Sequence, residues 1–567
     1  MLSTLVAGAG DVPARASGGQ GPDTIGQWTL PFEEAGAASG GRPTAVQTAV
    51  LADGRVLYFN GLESGESAQK PSAVPVGAAP RDSQARLLDL RSGAPQWSAP
   101  AKDGDLFCTD ITVLPNGKLL MAGGLEAEGL RNSWLFDPET NGVEAAAPMK
   151  YGRWYPHLVI GPDGNPTVFG GVAQLVTDPQ TGNVRRTETY RADANTWDEN
   201  YAGPQSEATL PLQPRIVLAP NGQFFYAAAG EMGGPFGHAV DEAMTGFFQF
   251  FDPKTKAWTV SGAAPYGPRS GAFVVPLTLV PPYDRMTLVT WGGVLGPTPG
   301  QPANPLTALT TIDGNGNVTN RNGGSLNHAR WHSSGVLLPD GQVLAVGGTD
   351  KDDAFSPGLG GPVTTPELYD PTTDTWTPVA PHIRARGYHS SALLLPDLRV
   401  LLGGNDNDPS FEIWSPPYLF RGPRPTVVRV QRGVGYGETF NLTTPDAGLI
   451  ESVVLLRTPS PEHANDSDQR ALRLEFSRTG PHTLTATAPP SGTVAPPGTY
   501  YLVVNKKSLQ GPIPSVAHMV DVGRTDLADA PQPFPDDAPA PSGGSAGNPS
   551  PPAPVAIPQR RWLFGAR

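Results

Sequence analysis

Cys108, Tyr155, His332 and His389, four side chains capable of metal or redox chemistry, occupy one and the same position of a repeated hairpin. Each lies nine residues before an equivalent turn residue (Gly117, Gly164, Gly341 and Leu398), and Tyr388 immediately precedes His389. Imidazoles and phenolates gathered without a carboxylate cluster favour copper over Mg²⁺ or Ca²⁺, which want hard oxygen cages. Ligand type leaves zinc open. A lone thiol beside a tyrosine is nevertheless a poor zinc set, because structural zinc takes four nitrogen or sulfur donors.

The elements that must position these residues recur along the chain. RARGYHSSALLLPDLRVLLGG (384–404), HARWHSSGVLLPDGQVLAVGG (ending at Gly348), RWYPHLVIGPDGNPTVFGG (ending at Gly171) and FCTDITVLPNGKLLMAGG (ending at Gly124) are the clearest copies. Weaker ones end at Gly61 and Gly230, and the most degenerate ends at Gly293. Each reads as an apolar strand, an Asp-Gly or Asn-Gly turn, and a second apolar strand ending in small residues, the pattern of a hairpin whose turn needs positive φ. The registered positions are 63 residues apart from Ala45 to Cys108, 47 from Cys108 to Tyr155 and 57 from His332 to His389. A period of about 50 residues with Gly-Gly after the second strand and Trp near the end resembles kelch propellers. Seven blades then fill residues 25–422, and one shared register becomes one small space near the ring's axis. IGQWTLPF (25–32) resembles the fourth strands of other repeats, and the seventh repeat lacks one, so the N-terminal strand is expected to close the ring.

Residues 423–523 alternate apolar and polar without Gly-Gly and predict an immunoglobulin-like β-sandwich. Residues 1–24 read as a disordered leader and 524–567 as a Pro/Ala/Ser-rich disordered tail that buries too little apolar area to fold. The expected class is therefore all-β, a seven-bladed kelch-type β-propeller followed by a sandwich. A chain of 567 residues with 68 Gly, 64 Pro and only 16% charged residues agrees with it. The net charge of −13 argues against nucleic acid and anionic membranes. One cysteine permits no intrachain disulfide, and no 18-residue apolar run exists to span a membrane. The leader has a short apolar patch without a basic n-region, so it is not a clear export signal.

FC at 107–108, RWYP at 153–156, GYHSS at 387–391 and HANDSDQR at 463–470 resemble the copper radical oxidases, the family of galactose oxidase and the glyoxal oxidases. The resemblance covers roughly residues 25–523, with RWYP closer to the glyoxal-oxidase-like branch. It implies one copper ion, and a thioether joining Cys108 to Tyr155 to make the radical-bearing ligand. It implies Tyr388 as the axial phenolate and base, His389 as one equatorial ligand, and His463 as the other, delivered by the sandwich. The implied reaction oxidises small aldehydes, as their hydrates, or primary alcohols with O₂ and releases H₂O₂. The implied protein is monomeric and extracellular, on the cell surface or periplasmic. Galactose oxidase covers its thioether with a tryptophan, and the matching GGVAQL stretch here has none; Trp291 is the replacement candidate and Trp331 the next. Without a separate N-terminal carbohydrate-binding domain, a small substrate is expected rather than a large carbohydrate.

Taken singly, these residues have plainer readings. Tyrosines at strand ends are usually core aromatics. His332 matches no ligand of the family and is read as lying behind the ligands or lining the pocket. His157 is read as lining the pocket mouth, and Arg153 as either orienting substrate or capping a strand. The alternative function is a non-catalytic propeller that binds glycan or protein, and fold alone does not decide between them. The complete set Cys108, Tyr155, Tyr388, His389 and His463 favours the oxidase. A zinc or mononuclear copper hydrolase is a weaker third reading, because it needs no Cys108. The irregular rim loops do not name the substrate.

Overall fold

The computed structural model describes residues 21–34, 43–59, 85–99, 106, 109–124, 129–174, 182–231, 245–295, 300–352, 360–405, 408–466 and 468–525. Seven four-stranded antiparallel sheets follow one another as blades. Their innermost strands are Gln47–Val50, Thr109–Val113, His157–Ile160, Ile216–Leu218, Phe273–Pro276, Ser334–Leu337 and Ser390–Leu394. All seven are wholly buried, as are second strands such as Val56–Phe59, Leu119–Gly123 and Val343–Val346. Outermost strands such as Thr196–Glu199 and Thr375–Pro378 are largely exposed and send in a tryptophan. Continuous β-branched and leucine runs therefore lie near the axis and alternating ones at the rim, as burial on two faces or one requires.

The seventh blade takes its fourth strand from the other end of the chain. Gln27 pairs with Ser415 and Trp28 with Trp414, and Phe32 bridges Phe411. The Trp28 indole N–H donates to the Ala380 carbonyl at 2.7 Å, and its ring stacks on Trp414 at 6.3 Å. The predicted leader differs at its end: residues 1–20 lie outside the described residues, but Pro22–Ile25 form one helical turn where the sequence predicts disorder through residue 24 and a strand from Ile25. Proline suits a first helical position, where its missing N–H costs nothing. The tail from 526 on also lies outside the described residues.

Gly-Gly corners exist because neighbouring blades touch there. Gly347 holds φ 70°, and a Cβ on it would come within 2.6 Å of the Arg386 carbonyl. Beside the corners of blades three, six and seven lies a buried ion pair, Arg153–Glu188 at 2.9 Å, Arg330–Glu367 at 2.8 Å and Arg386–Glu412 at 3.4 Å. Each glutamate also accepts backbone amides, for example those of Asn327 at 2.7 Å and His328 at 3.0 Å. The carboxylate thus fixes the chain approaching each inner strand.

Residues 424–525 form a four-stranded sheet packed on a six-stranded one around Leu455, Leu472, Leu484, Leu502 and Val520. The segment 457–470 leaves this sandwich and enters the ring. Arg457 donates to the Val113 carbonyl at 3.0 Å, Gln469 to Gly335 at 2.9 Å and Arg470 to Leu218 at 2.7 Å. The amides of Thr48 and Ile160 donate to Pro461 and the Asp468 carboxylate, both at 3.0 Å. Five blades grip one loop, and its tip carries His463.

Candidate active site

Tyr155, His332 and His389 end the approaches to the inner strands of blades three, six and seven with φ of 52°, 55° and 63°. Holding a non-glycine residue there costs roughly 1–3 kcal/mol, which the surrounding packing must repay. The same kink in blade five is Gly271, where a Cβ would lie 2.2 Å from Trp331 Nε1. Blade five therefore contributes no side chain, and Trp331 takes the space. His463 and Ala464, at the tip of the sandwich loop, also have positive φ, 43° and 61°.

These turns bring four rings together. The Tyr155 and Tyr388 hydroxyls touch, and the Tyr155 oxygen is 3.0 Å from His463 Nε2. Ring centroids lie 4.0 Å apart for Tyr388–His389, 4.6 Å for His389–His463 and 4.8 Å for Tyr155–His463. The His463 Nδ1 contacts the Glu462 carboxylate, which also accepts from Gln47 Nε2 at 3.1 Å. A carboxylate on Nδ1 fixes the tautomer with Nε2 bare and facing the phenols, and raises its basicity as a ligand. Burial, then the neighbouring His389, His332 and Arg215, hold the His463 imidazole well below its usual range, so it is neutral at pH 7.

Cys108 lies outside the described residues. Trp154, adjoining Tyr155 in sequence but not among the tryptophans expected to cover it, meets the Tyr155 ring edge-on at 4.6 Å. Trp331 stacks on Tyr388 at 5.8 Å and 21° rather than on Tyr155. Trp291 packs between blades five and six, stacked on Phe273 at 4.8 Å, edge-on to Trp376 at 5.3 Å, and donating to Ser333 Oγ at 3.1 Å. His332 sits behind Tyr388, its ring 4.8 Å away and its Nε2 3.3 Å from Glu231. Burial pushes the Glu231 carboxyl up, but His332 and Arg215, the latter at 2.6 Å, outweigh that and hold it below its ordinary value. His157 is buried with Nδ1 3.2 Å from Asp110, between blades two and three. The Arg153 guanidinium is taken up by Glu188 and the carbonyls of Gly170 and Arg186, both at 2.7 Å.

Two phenol oxygens and two imidazoles converging on one point fit copper, which takes nitrogen and oxygen donors in tetragonal geometry. Among the described residues, no three His, Cys, Asp or Glu side chains gather as a cation cage.

Comparison with known proteins agrees with this geometry. Residues 424–522 match the "Galactose oxidase-like, Early set domain" family, and 330–382 match the kelch motif. The chain is 26% identical to aldehyde oxidase GLOX of Vitis pseudoreticulata, covering 88% of this chain and 98% of that one. It is also 26% identical to galactose oxidase of Gibberella zeae over 74% of this chain, which spans 61% of that protein. A solved fungal alcohol oxidase of the AA5 family, in complex with copper, shares the fold at a TM-score of 0.72 and 22% identity, covering 88% of this chain and 100% of that one. The resemblance to the copper radical oxidases thus holds in both the propeller and the sandwich.

Proposed function

We propose that this chain is a copper radical oxidase that converts small aldehydes, as their hydrates, or primary alcohols with O₂, releasing H₂O₂. The observation that carries the reading is the convergence of Tyr155, Tyr388, His389 and His463 from two blades and a sandwich loop. A propeller used only for binding has no need for positive φ at three of these four residues, or for a buried carboxylate behind His463.

Tyr155, Tyr388, His389 and His463 would hold the copper. When bound, it supplies one of the two one-electron oxidising equivalents that the reaction needs. The other resides on Tyr155, whose phenol a thioether from Cys108 makes easier to oxidise. Two ties support that bond. Asp110, two residues past Cys108, accepts the Leu158 amide and lies 3.2 Å from His157 Nδ1, just past Tyr155. The Gln47 side chain reaches the Thr109 carbonyl at 3.5 Å and Glu462 at 3.1 Å. Forming the thioether joins sulfur to a ring carbon with loss of two hydrogens, which O₂ accepts.

Tyr388, as phenolate, takes the substrate hydroxyl proton. The substrate gives up two electrons and two protons in all, and O₂ leaves as H₂O₂ with both. Its walls near Tyr388 are Trp331 and His332, flat and tightly packed, which suits a small substrate. A product as reactive as peroxide favours action outside the cytoplasm, and no described helix is long and apolar enough to cross a membrane.

The test is mass analysis of copper-treated protein together with peroxide release over a panel of aldehydes and alcohols. The expected protein is lighter by two hydrogens, with the Cys108 and Tyr155 peptides still joined under reducing conditions. Peptides that separate freely, with no peroxide from any substrate, overturn the reading.

A further inference from the structure

Blade five repeats the buried arginine of its neighbours without the glutamate. Arg269 stands four residues before the inner strand Phe273–Pro276, as Arg153, Arg330 and Arg386 stand before His157, Ser334 and Ser390. Its Nη1 donates to the Leu306 carbonyl at 3.0 Å. Arg153 and Arg330 use the carbonyls of Arg186 and Thr365 in the same way, at 2.7 and 3.0 Å. Each of those carbonyls lies two residues before the paired glutamate, and two residues past Leu306 is Ala308. Strand register agrees, since Ala308 faces Thr290 as Glu188 faces Val168, Glu367 faces Ala345 and Glu412 faces Leu402.

Among the described residues, none replaces the missing carboxylate. Arg269 is 3% exposed, and its Nη2 has no hydrogen-bond partner. A small cavity opens where the carboxylate would lie, lined by Tyr266, Gly267, Arg269, Thr290, Ala308 and Thr310. The Tyr266 ring faces the guanidinium at 4.8 Å. Burial pulls Arg269 down to about 10, so it stays charged at neutral pH. A buried charge with no counter-charge is strongly unfavourable, and the other three blades avoid it with glutamate.

We infer that the cavity between Arg269 and Ala308 is a binding site for a small monovalent anion, a halide ion or the carboxylate of a formate-sized acid. The anion stands in for the absent glutamate and locks blade five against its neighbours.

The test compares copper-loaded parent protein and Ala308→Glu, each dialysed into sodium gluconate, whose anion is too large for the cavity. Sodium bromide or sodium formate then replaces gluconate at constant ionic strength, and the unfolding temperature is followed. The parent is expected to gain about 2–3 °C at saturating anion. Ala308→Glu carries its own carboxylate and is expected not to respond. Bromide alone or formate alone giving the rise identifies which anion the site takes. Equal unfolding temperatures of the parent in all three salts overturn the site, and so does an equal response in both proteins, which would reflect binding elsewhere, for instance at the copper. Should Ala308→Glu fail to fold, bromide-soaked crystals of the parent decide: an anomalous peak beside Arg269 is expected, and its absence overturns the inference.

Discussion

Glu462→Gln isolates the one charge that supports His463. Glutamine keeps the shape and an acceptor oxygen for Gln47 Nε2, 3.1 Å away, and for His463 Nδ1. What disappears is the negative charge behind the imidazole, in a place where Glu462 is 2% exposed. A charge-assisted hydrogen bond is worth about 1.5–3 kcal/mol against about 0.5–1.5 for a neutral one. The change therefore withdraws about 1–1.5 kcal/mol of support from the ligand, or roughly tenfold in copper affinity. That lies at the lower edge of the roughly 10–100-fold typical for residues that orient a metal's ligands. The assay is competition for copper against a chelator of known affinity at pH 7, with peroxide release measured on the same samples. Copper affinity and turnover both equal to the parent's would refute the argument that Glu462 tunes His463. Loss of fold is not expected, because Gln47 Nε2 and His463 Nδ1 both keep an acceptor oxygen.

Two further outcomes follow from the scaffold. His382 and His518 are buried, and burial pulls them down to about 3 and about 4. Below their unfolded value of about 6.5 only the unfolded chain takes up these protons, so stability is lost as pH falls from 6.5 toward 4, by roughly 2–3 kcal/mol for each at pH 4.5. Urea midpoints at pH 7 and 4.5 measure it; His518→Gln should flatten the slope by its share, and an unchanged slope contradicts the assignment. Trp28→Ala removes the indole bond to Ala380 and the stack on Trp414. It should cost about 2–4 kcal/mol in the denaturant midpoint. A change under about 0.5 kcal/mol, the size of an ordinary surface substitution, would mean that the ring does not rely on this strand.

The residue register was legible because turn chemistry marks it. Gly117, Gly164 and Gly341 at φ 83–90° pin their hairpins, and counting nine back from Gly164 and Gly341 reaches the kinks at Tyr155 and His332. Tyr155 and His389 could thus be singled out with Tyr388 beside His389, while His463 was reached only through the resemblance of HANDSDQR, and the structure brings these four together. The Arg–Glu pairs were not legible: Glu188 follows Arg153 by 35 residues, Glu367 follows Arg330 by 37 and Glu412 follows Arg386 by 26, because the loops between second and third strands differ in length. Trp291 drew attention from its place at a Gly-Gly corner, yet its contacts depend on how Phe273 and Trp376 meet it, which no period in the sequence states. Glu462 adjoins His463, but only the folded loop shows which nitrogen it reaches.

The pairing of Gln27–Trp28 with Phe411–Ser415 also bears on how the protein is made. A ribosome emits Trp28 long before Trp414, so for most of translation the first strand has no partner and the last blade does not yet exist. Six blades can form in succession behind it, but the circle shuts only after the seventh has emerged, and the sandwich loop with His463 comes later still. Copper capture would accordingly belong to the finished chain, so the nascent one would pass through synthesis without an oxidising centre.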